Sequence, residues 1–198
     1  MVISPQRTTL SSVAWKNAVI MGLGSTGFSV ARYLLGRGMH VTVVDAQPNP
    51  PLAMRLAEIA PGIDIRTGEG NVNNLRSADV LILSPGVSLD HPTVRKAEDM
   101  GIEVIGDIEL FARAVAAPVI GITGSNGKST VTQWLAALLR VAGRKVLVGG
   151  NIGPPALDLL ADEPPECYVL ELSSFQLETT QSLCLRAGAI LNVSPDHL

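Results

Sequence analysis

The sequence has 198 residues and a formal net charge of −3, and 46% of its residues are hydrophobic but only 4% are aromatic. A chain of this length forms one or two domains. A nucleic-acid surface needs a basic stripe, which this sequence lacks, so nucleic acid is not an expected partner. No apolar run approaches the roughly 20 residues that span a bilayer. We therefore expect no membrane insertion and a cytoplasmic location. We also expect a monomer.

Strand-like and helix-like runs alternate along the first part of the chain. This alternation is typical of βαβ units and parallel sheets. We therefore predict an α/β domain of Rossmann-like, parallel-sheet type over residues 1–117. Its predicted strands are 17–22, 40–45, 63–68, 79–86 and 102–107, and its predicted helices are 26–38, 54–60, 91–101 and 108–115.

The same alternation begins again after Ala116-Ala117, at Pro118. It predicts a second domain over residues 118–198, a P-loop α/β domain that binds ATP. We expect this domain to be the N-terminal part of a longer one, because the last strand passes into a polar loop at Leu198. Its predicted strands are 118–124, 144–150, 167–172 and 188–193, and its predicted helices are 128–143, 154–162 and 175–181.

A glycine-rich loop follows the first predicted strand. It has the spacing Gly22-x-Gly24-x-x-Gly27, and Asp45 ends the second strand 18 residues after Gly27. This combination is typical of a backbone turn that approaches a diphosphate, with an acidic residue at the ribose. The segment SPGV, residues 84–87, ends the fourth strand and is expected at the same edge of the sheet. The pattern indicates a ribose-diphosphate ligand but does not specify a nicotinamide.

A second phosphate-loop candidate is GITGSNGKST, which lies between a predicted strand and a predicted helix. Glycines allow backbone N–H groups to turn towards phosphate oxygens, and the following helix adds its dipole. Lys128 is placed to reach the β- and γ-phosphates, and Ser129 to bind Mg²⁺. The strict P-loop pattern has glycine where this sequence has Ile122, so the loop is a variant. The weaker interpretation is an ordinary glycine-rich turn.

Polar residues at three later strand ends complete the candidate site. Glu171 ends an apolar strand downstream of the P-loop, where a metal-orienting carboxylate is expected. Asn151 follows another strand and could contact phosphate or substrate, although asparagine is also a common turn residue. His197 follows the last strand, where a metal or ligand contact competes with a purely structural role.

Four segments in this order, ITGSNGKST, GGNIGPPAL, VLELSSFQLET and ILNVSPDHL, resemble the ATP-binding central domain of the Mur ligases. GLGSTG, SPGV and GDIELF resemble the N-terminal domain of the member that adds D-glutamate. The resemblance implies an ATP-dependent ligase of peptidoglycan synthesis. In that reaction ATP phosphorylates the carboxylate of UDP-N-acetylmuramoyl-L-alanine, and the amine of glutamate attacks the acyl phosphate to give an amide, ADP and phosphate.

The resemblance also implies roles for particular residues. The catalytic residues would be Lys128, Glu171 and His197, and the Mg²⁺ ligands would be Ser129, Glu171 and His197. ATP would lie on Gly124, Ser125, Asn126, Gly127, Lys128, Ser129 and Thr130. The UDP substrate would contact Ser25, Thr26, Asp45, Ser84 and Gly86, with Asn151, Ser173 and His197 as further substrate contacts.

Other functions remain open from the sequence. An NAD-dependent dehydrogenase would explain the first loop but not Lys128 and Ser129. A regulatory P-loop NTPase would explain only the second half, and a non-catalytic nucleotide-binding module or a related Mur ligase that adds another amino acid would fit both halves. Because the resemblance places a metal-site lysine and a glutamate-binding domain beyond Leu198, we expect residues 1–198 to bind the UDP substrate without ligase turnover.

Overall fold

The computed structural model describes residues 15–68, 72–160 and 163–194. The chain divides into two compact units, one within Ser11–Asp107 and the other from Ile108 onwards. Each unit is built on its own parallel sheet, which confirms the predicted α/β fold class. None of the helices in the described part of the chain is long and apolar enough to cross a membrane.

The first unit contains five strands: β1 (Asn17–Met21), β2 (His40–Asp45), β3 (Asp64–Thr67), β4 (Val80–Leu83) and β5 (Glu103–Gly106). Its helices are α1 (Ser25–Leu35), α2 (Ala53–Ile59) and α3 (Pro92–Asp99). The strand order is β3-β2-β1-β4-β5, and all neighbours are parallel. The chain changes direction across the sheet between β1 and β4, so the loops after these strands emerge side by side.

The core of the first unit lies on both faces of its central strands. Residues 18–21 of β1 and all of Val80–Leu83 are buried, as expected for a parallel sheet covered by helices on both sides. Helix α1 packs on this sheet through Phe28, Ala31 and Leu34, whose helical spacing places them on one face. This packing fixes the start of α1 inside the glycine motif, between Gly24 and Gly27.

The second unit contains β6 (Val119–Thr123), β7 (Val146–Gly150), β8 (Cys167–Glu171) and β9 (Ala187–Ile190). Its helices are α4 (Asp107–Ala114), α5 (Lys128–Val141) and α6 (Ser174–Glu178). The strand order is β7-β8-β6-β9, again all parallel. Strand β8 therefore lies next to β6, with Glu171 opposite Ile122, and this register places the end of β8 beside the loop after β6.

Helix α4 packs within the second unit. Phe111 and Tyr168 form an edge-to-face pair with ring centroids 5.3 Å apart. The buried carboxylate of Glu109 accepts hydrogen bonds from the backbone N–H groups of Gln181 and Ser182. Because of these contacts α4 lies in the second compact unit, which starts at Ile108. The predicted domain boundary lies after α4, at residue 117. The limits of the folding domains, 1–117 and 118–198, stay a prediction.

Several predicted elements are shorter in the structure: the helices predicted at 26–38, 91–101 and 175–181 end at Leu35, Asp99 and Glu178, and the strands predicted at 144–150 and 188–193 are Val146–Gly150 and Ala187–Ile190. Two further differences have a direct physical reason. The predicted helix at 154–162 is only a 3₁₀ turn at Ala156–Leu159, because Leu160 is already extended. The predicted strand at 79–86 ends at Leu83, since Pro85 has no N–H with which to continue the pairing. A further 3₁₀ turn at Val72–Ser77 was not predicted.

Candidate functional site

The loop after β1 is held in shape by Asp45 at the end of β2. One carboxylate oxygen of Asp45 accepts the backbone N–H of Leu23 at 2.6 Å, and the other accepts that of Gln47 at 2.8 Å. Gly22 donates its own N–H to the carbonyl of Val44 at 2.8 Å and has φ 94°, which favours glycine. The acidic residue predicted at the ribose therefore also determines the loop conformation.

The loop after β4 supports the glycine loop from the neighbouring strand. The hydroxyl of Ser84 donates to the carbonyl of Gly22 at 3.0 Å. A Cβ atom at Gly27 would overlap that same carbonyl oxygen, whereas one at Gly24 would meet no atom within 4 Å. The third glycine of the motif is therefore required for close packing of α1 against β1, as the fingerprint implies.

The predicted UDP contacts surround the start of α1. Ser25 and Gly86 are exposed, and Thr26 and Ser84 are half-buried. Gly24 caps α1 without a side-chain hydrogen bond. The first N–H groups of an α-helix have no intrahelical acceptor, so this helix start presents donors to an anionic group. The structure brings these residues together at the carboxyl edge of the first sheet.

The phosphate-loop candidate connects β6 to α5. Gly124 has φ 144° and Gly127, the N-cap of α5, has φ 82°, so both use backbone conformations that favour glycine. The ammonium group of Lys128 donates to the carbonyls of Gly124 at 2.6 Å and Ser125 at 3.2 Å. The lysine thus closes over the loop where a phosphate chain would lie.

Glu171 connects the phosphate loop to the loop after β7. Its Oε2 accepts the hydroxyl hydrogen bond of Ser129 at 2.7 Å, and its Oε1 accepts the side-chain amide of Asn151 at 2.7 Å. The backbone N–H of Asn151 also donates to the carbonyl of Glu171 at 2.9 Å. Glu171 is only 2% exposed. A buried carboxylate is thereby held in a fixed position beside an exposed serine hydroxyl.

This donor set suits Mg²⁺, which binds protein carboxylates and hydroxyls together with phosphate oxygens. The fit rests on the 2.7 Å approach of Ser129 to Glu171. No cluster of three or more His, Cys, Asp or Glu side chains occurs among the described residues. The third predicted ligand, His197, lies outside the described residues, so its role stays a prediction.

Of the two remaining predicted site residues, Ser173 is part of a helix cap and Thr130 is exposed to solvent. Ser173 caps α6, where its hydroxyl accepts the N–H of Gln176 at 3.2 Å and the side chain of Gln176 accepts the N–H of Ser173 at 3.1 Å. Ser173 follows Glu171 by two residues, which keeps it at the same sheet edge. Thr130 is exposed in the first turn of α5.

Sequence reasoning missed one contributor to the site, Asn192. Its side-chain amide pairs with the backbone of Asn126, and the backbone of Ser194 contacts the hydroxyl of Ser125. The predicted strand 188–193 included Asn192, whereas β9 ends at Ile190 and leaves Asn192 in the loop that follows.

The fold and the two loops define a class, namely α/β proteins that bind nucleotides at the carboxyl edges of parallel sheets. Residues 16–106 match the family described as Mur ligase MurD-like, N-terminal domain, and residues 122–198 match the Mur ligase middle domain. The chain belongs to the Mur ligase family.

Two relatives are similar over most of the chain, and both are named UDP-N-acetylmuramoylalanine--D-glutamate ligase. The protein from Nitrosococcus oceani is 53% identical over 181 residues, which are 91% of this chain and 40% of the relative. The protein from Escherichia coli strain K12 is 52% identical over 183 residues, which are 92% of this chain and 41% of the relative. The chain thus spans about two fifths of the length of these relatives.

Two solved structures share the fold. UDP-N-acetylmuramate:L-alanyl-gamma-D-glutamyl-meso-diaminopimelate ligase from Neisseria meningitides aligns with a TM-score of 0.58 and 21% identity, covering 93% of this chain and 62% of that one. UDP-N-acetylmuramate-alanine ligase from Thermotoga maritima aligns with a TM-score of 0.55 and 22% identity, covering 92% and 42%. At this identity the likeness concerns the fold alone.

Proposed function

We propose that this chain supplies the UDP-substrate site and the ATP site of a cytoplasmic ligase that joins D-glutamate to UDP-N-acetylmuramoyl-L-alanine. The observation that carries the proposal is the presence of two glycine loops, each at the carboxyl edge of its own parallel sheet. A ligase that activates a nucleotide-linked substrate with ATP needs one site for each nucleotide. The names of the relatives at 52–53% identity support this choice of substrates.

In the first unit, the UDP diphosphate would lie at the start of α1. The N–H groups at Ser25 and Thr26 supply donors without a competing side-chain cap. Ser84 and Gly86 border the same loop from the end of β4. Asp45 has one loop N–H on each carboxylate oxygen, and a carboxylate has about four lone-pair sites, so it keeps acceptor capacity for the uridine.

In the second unit, ATP would lie along residues 124–130. Phosphate oxygens would replace the carbonyls of Gly124 and Ser125 as acceptors for Lys128, whose charge then stabilises the phosphoryl group in transfer. Ser129 and Glu171 would hold Mg²⁺, which offsets the negative charge of the phosphates. Glu171 is suited to this because Asn151 and the backbone fix its orientation.

The chemistry follows from the poor reactivity of a carboxylate. Phosphorylation of the alanyl carboxylate provides a leaving group, and the amine of glutamate then attacks the acyl phosphate with loss of phosphate. Lys128 and Glu171 act at the phosphoryl group in this scheme. Asn151, Ser173 and His197 would orient the substrate carboxylate.

Calorimetric titration of the chain with UDP-N-acetylmuramoyl-L-alanine, NADH and ATP with Mg²⁺ tests the proposal. We expect the UDP substrate and ATP to bind simultaneously, each with one site per chain, and NADH not to bind. A chain that binds NADH but not the UDP substrate would overturn the proposal in favour of a dehydrogenase.

A further inference from the structure

The phosphate loop is hydrogen-bonded to the segment after β9, and a side chain continues the backbone pairing of the two strands. Strand β9 pairs with β6 up to Ile190 opposite Thr123, and the N–H of Leu191 then donates to the carbonyl of Thr123 at 2.9 Å. The N–H of Ser125 next donates to the carbonyl of Asn192 at 3.1 Å. Backbone pairing thus continues beyond the two strands and into the loop.

At Asn126 the side chain of Asn192 takes over this pairing. The N–H of Asn126 donates to Oδ1 of Asn192 at 2.9 Å, and Nδ2 of Asn192 donates to the carbonyl of Asn126 at 2.9 Å. Two residues after Asn192, the N–H of Ser194 donates to the hydroxyl of Ser125 at 3.0 Å. We call residues 192–194 with these contacts the loop clamp.

The loop clamp engages the backbone N–H groups of two residues in the predicted ATP site, so these groups are not available to a ligand. Each residue has a single backbone N–H, and those of Ser125 and Asn126 both donate to Asn192. The first intrahelical bond of α5 runs from Val131 to the carbonyl of Gly127. The amides of residues 128–130 precede that bond and sit at the helix start, where anions bind.

From this geometry we infer that Asn192 is a positioning residue that fixes the conformation of the phosphate loop. The ATP phosphates then accept hydrogen bonds from the backbone N–H groups from Gly127 onwards, and not from those of Ser125 or Asn126. The inference rests on the proposed ATP site and narrows it. The backbone of Asn192 also lies close to Gly124, where a Cβ atom would be 3.1 Å from both its nitrogen and its oxygen.

The test compares Asn192→Ala and Asn192→Asp with the wild-type chain, and uses Val193→Ala as the matched control because Val193 is 88% exposed. Asn192→Ala removes both side-chain bonds, while Asn192→Asp keeps an acceptor but places a carboxylate against the carbonyl of Asn126. Two lost hydrogen bonds of ordinary net strength correspond to about 5–150-fold weaker binding. We expect that loss for ATP with Mg²⁺ by calorimetry in both variants and none in the control.

Amide hydrogen exchange on the ligand-free chain separates positioning from general destabilisation. We expect Ser125 and Asn126 to be protected in the wild type and to exchange at least tenfold faster in Asn192→Ala, while Val169 in the core of β8 keeps its protection. Unchanged ATP affinity in both variants, or slow exchange at Asn126 without Asn192, would overturn the inference and leave the proposed function intact. A wild-type chain that does not bind ATP would overturn both.

Discussion

Glu109 offers the sharpest stability prediction, because this buried carboxylate joins α4 to the loop after α6. Oε1 accepts hydrogen bonds from Arg113 Nε and the hydroxyl of Ser182, both at 2.8 Å. Oε2 accepts the backbone N–H groups of Gln181 at 2.7 Å and Ser182 at 2.8 Å. Glu109 is only 1% exposed, so all four bonds form in a site that excludes water.

The substitution Glu109→Gln keeps the shape of the side chain but removes its charge. Hydrogen bonds to a charged group contribute about 1.5–3 kcal/mol each, and breaking a buried ion pair costs about 3–5 kcal/mol. Glutamine can still accept at one oxygen, so we expect a loss of about 3 kcal/mol. For a chain of this size that corresponds to a Tm lower by about 6–12 °C if it unfolds as one transition.

The pH dependence provides a second readout of the same carboxylate. Burial raises the pKa of Glu109, but the hydrogen bonds from Ser182, Gln181 and Arg113 outweigh it and hold the pKa below the ordinary value. A lowered folded-state pKa stabilises the fold above the unfolded pKa of about 4.3, and this stabilisation is lost as pH falls through the folded value. The difference between wild type and Glu109→Gln should therefore shrink on acidification below about pH 4.3.

Urea unfolding of both proteins between neutral and acidic pH, followed by circular dichroism, measures these quantities. The control is Glu178→Gln, because Glu178 is exposed at the end of α6, and we expect it to change stability by less than about 0.5 kcal/mol. A Glu109→Gln protein as stable as the control at neutral pH would refute the reasoning. So would a stability difference that grows on acidification.

Three further predictions concern the two sites. Gly27→Ala should weaken UDP-substrate binding at least tenfold by calorimetry, because its Cβ atom would overlap the carbonyl of Gly22. Gly24→Ala is the control and should leave binding unchanged, because a Cβ atom there meets open space. Equal effects of the two variants would contradict the assigned loop geometry. Glu171→Gln should abolish the Mg²⁺ dependence of ATP affinity measured with and without the ion, and a retained dependence would remove Glu171 from the metal site. Ser173→Ala should destabilise the chain by about 1 kcal/mol in urea unfolding, since it removes the cap of α6, and an unchanged midpoint would show that the cap contributes little.

The sequence predicted the elements and loops whose causes are local. Strand β2 occupies the predicted residues 40–45. An apolar run bounded by turn residues is a local pattern that predicts a buried strand directly. The glycine at position 27 was recognised from its spacing, and the structure supplies the reason in the carbonyl of Gly22. Lys128 and Ser129 were placed correctly at the start of a helix because the Gly-Lys-Ser-Thr sequence has a fixed relation to that helix.

The interactions that the sequence did not predict join residues far apart in the chain. Asn192 pairs with Asn126 across 66 positions, and Glu109 contacts Gln181 across 72. Neither pair has a spacing signature, because these contacts arise only when the folded chain brings distant segments together. The pairing of Phe111 with Tyr168 joins residues 57 positions apart and likewise has no signature in the sequence.

The central claim is that the two glycine loops serve two different nucleotides, and paired calorimetric titrations of two variants test it most directly. Thr26→Trp places a bulky ring at the start of α1, and Lys128→Met removes the charge from the phosphate loop. We predict that Thr26→Trp loses UDP-N-acetylmuramoyl-L-alanine binding but keeps ATP binding, and that Lys128→Met does the reverse. Loss of ATP binding in Thr26→Trp, or unchanged binding of the UDP substrate by it, would contradict the assignment of one nucleotide to each loop.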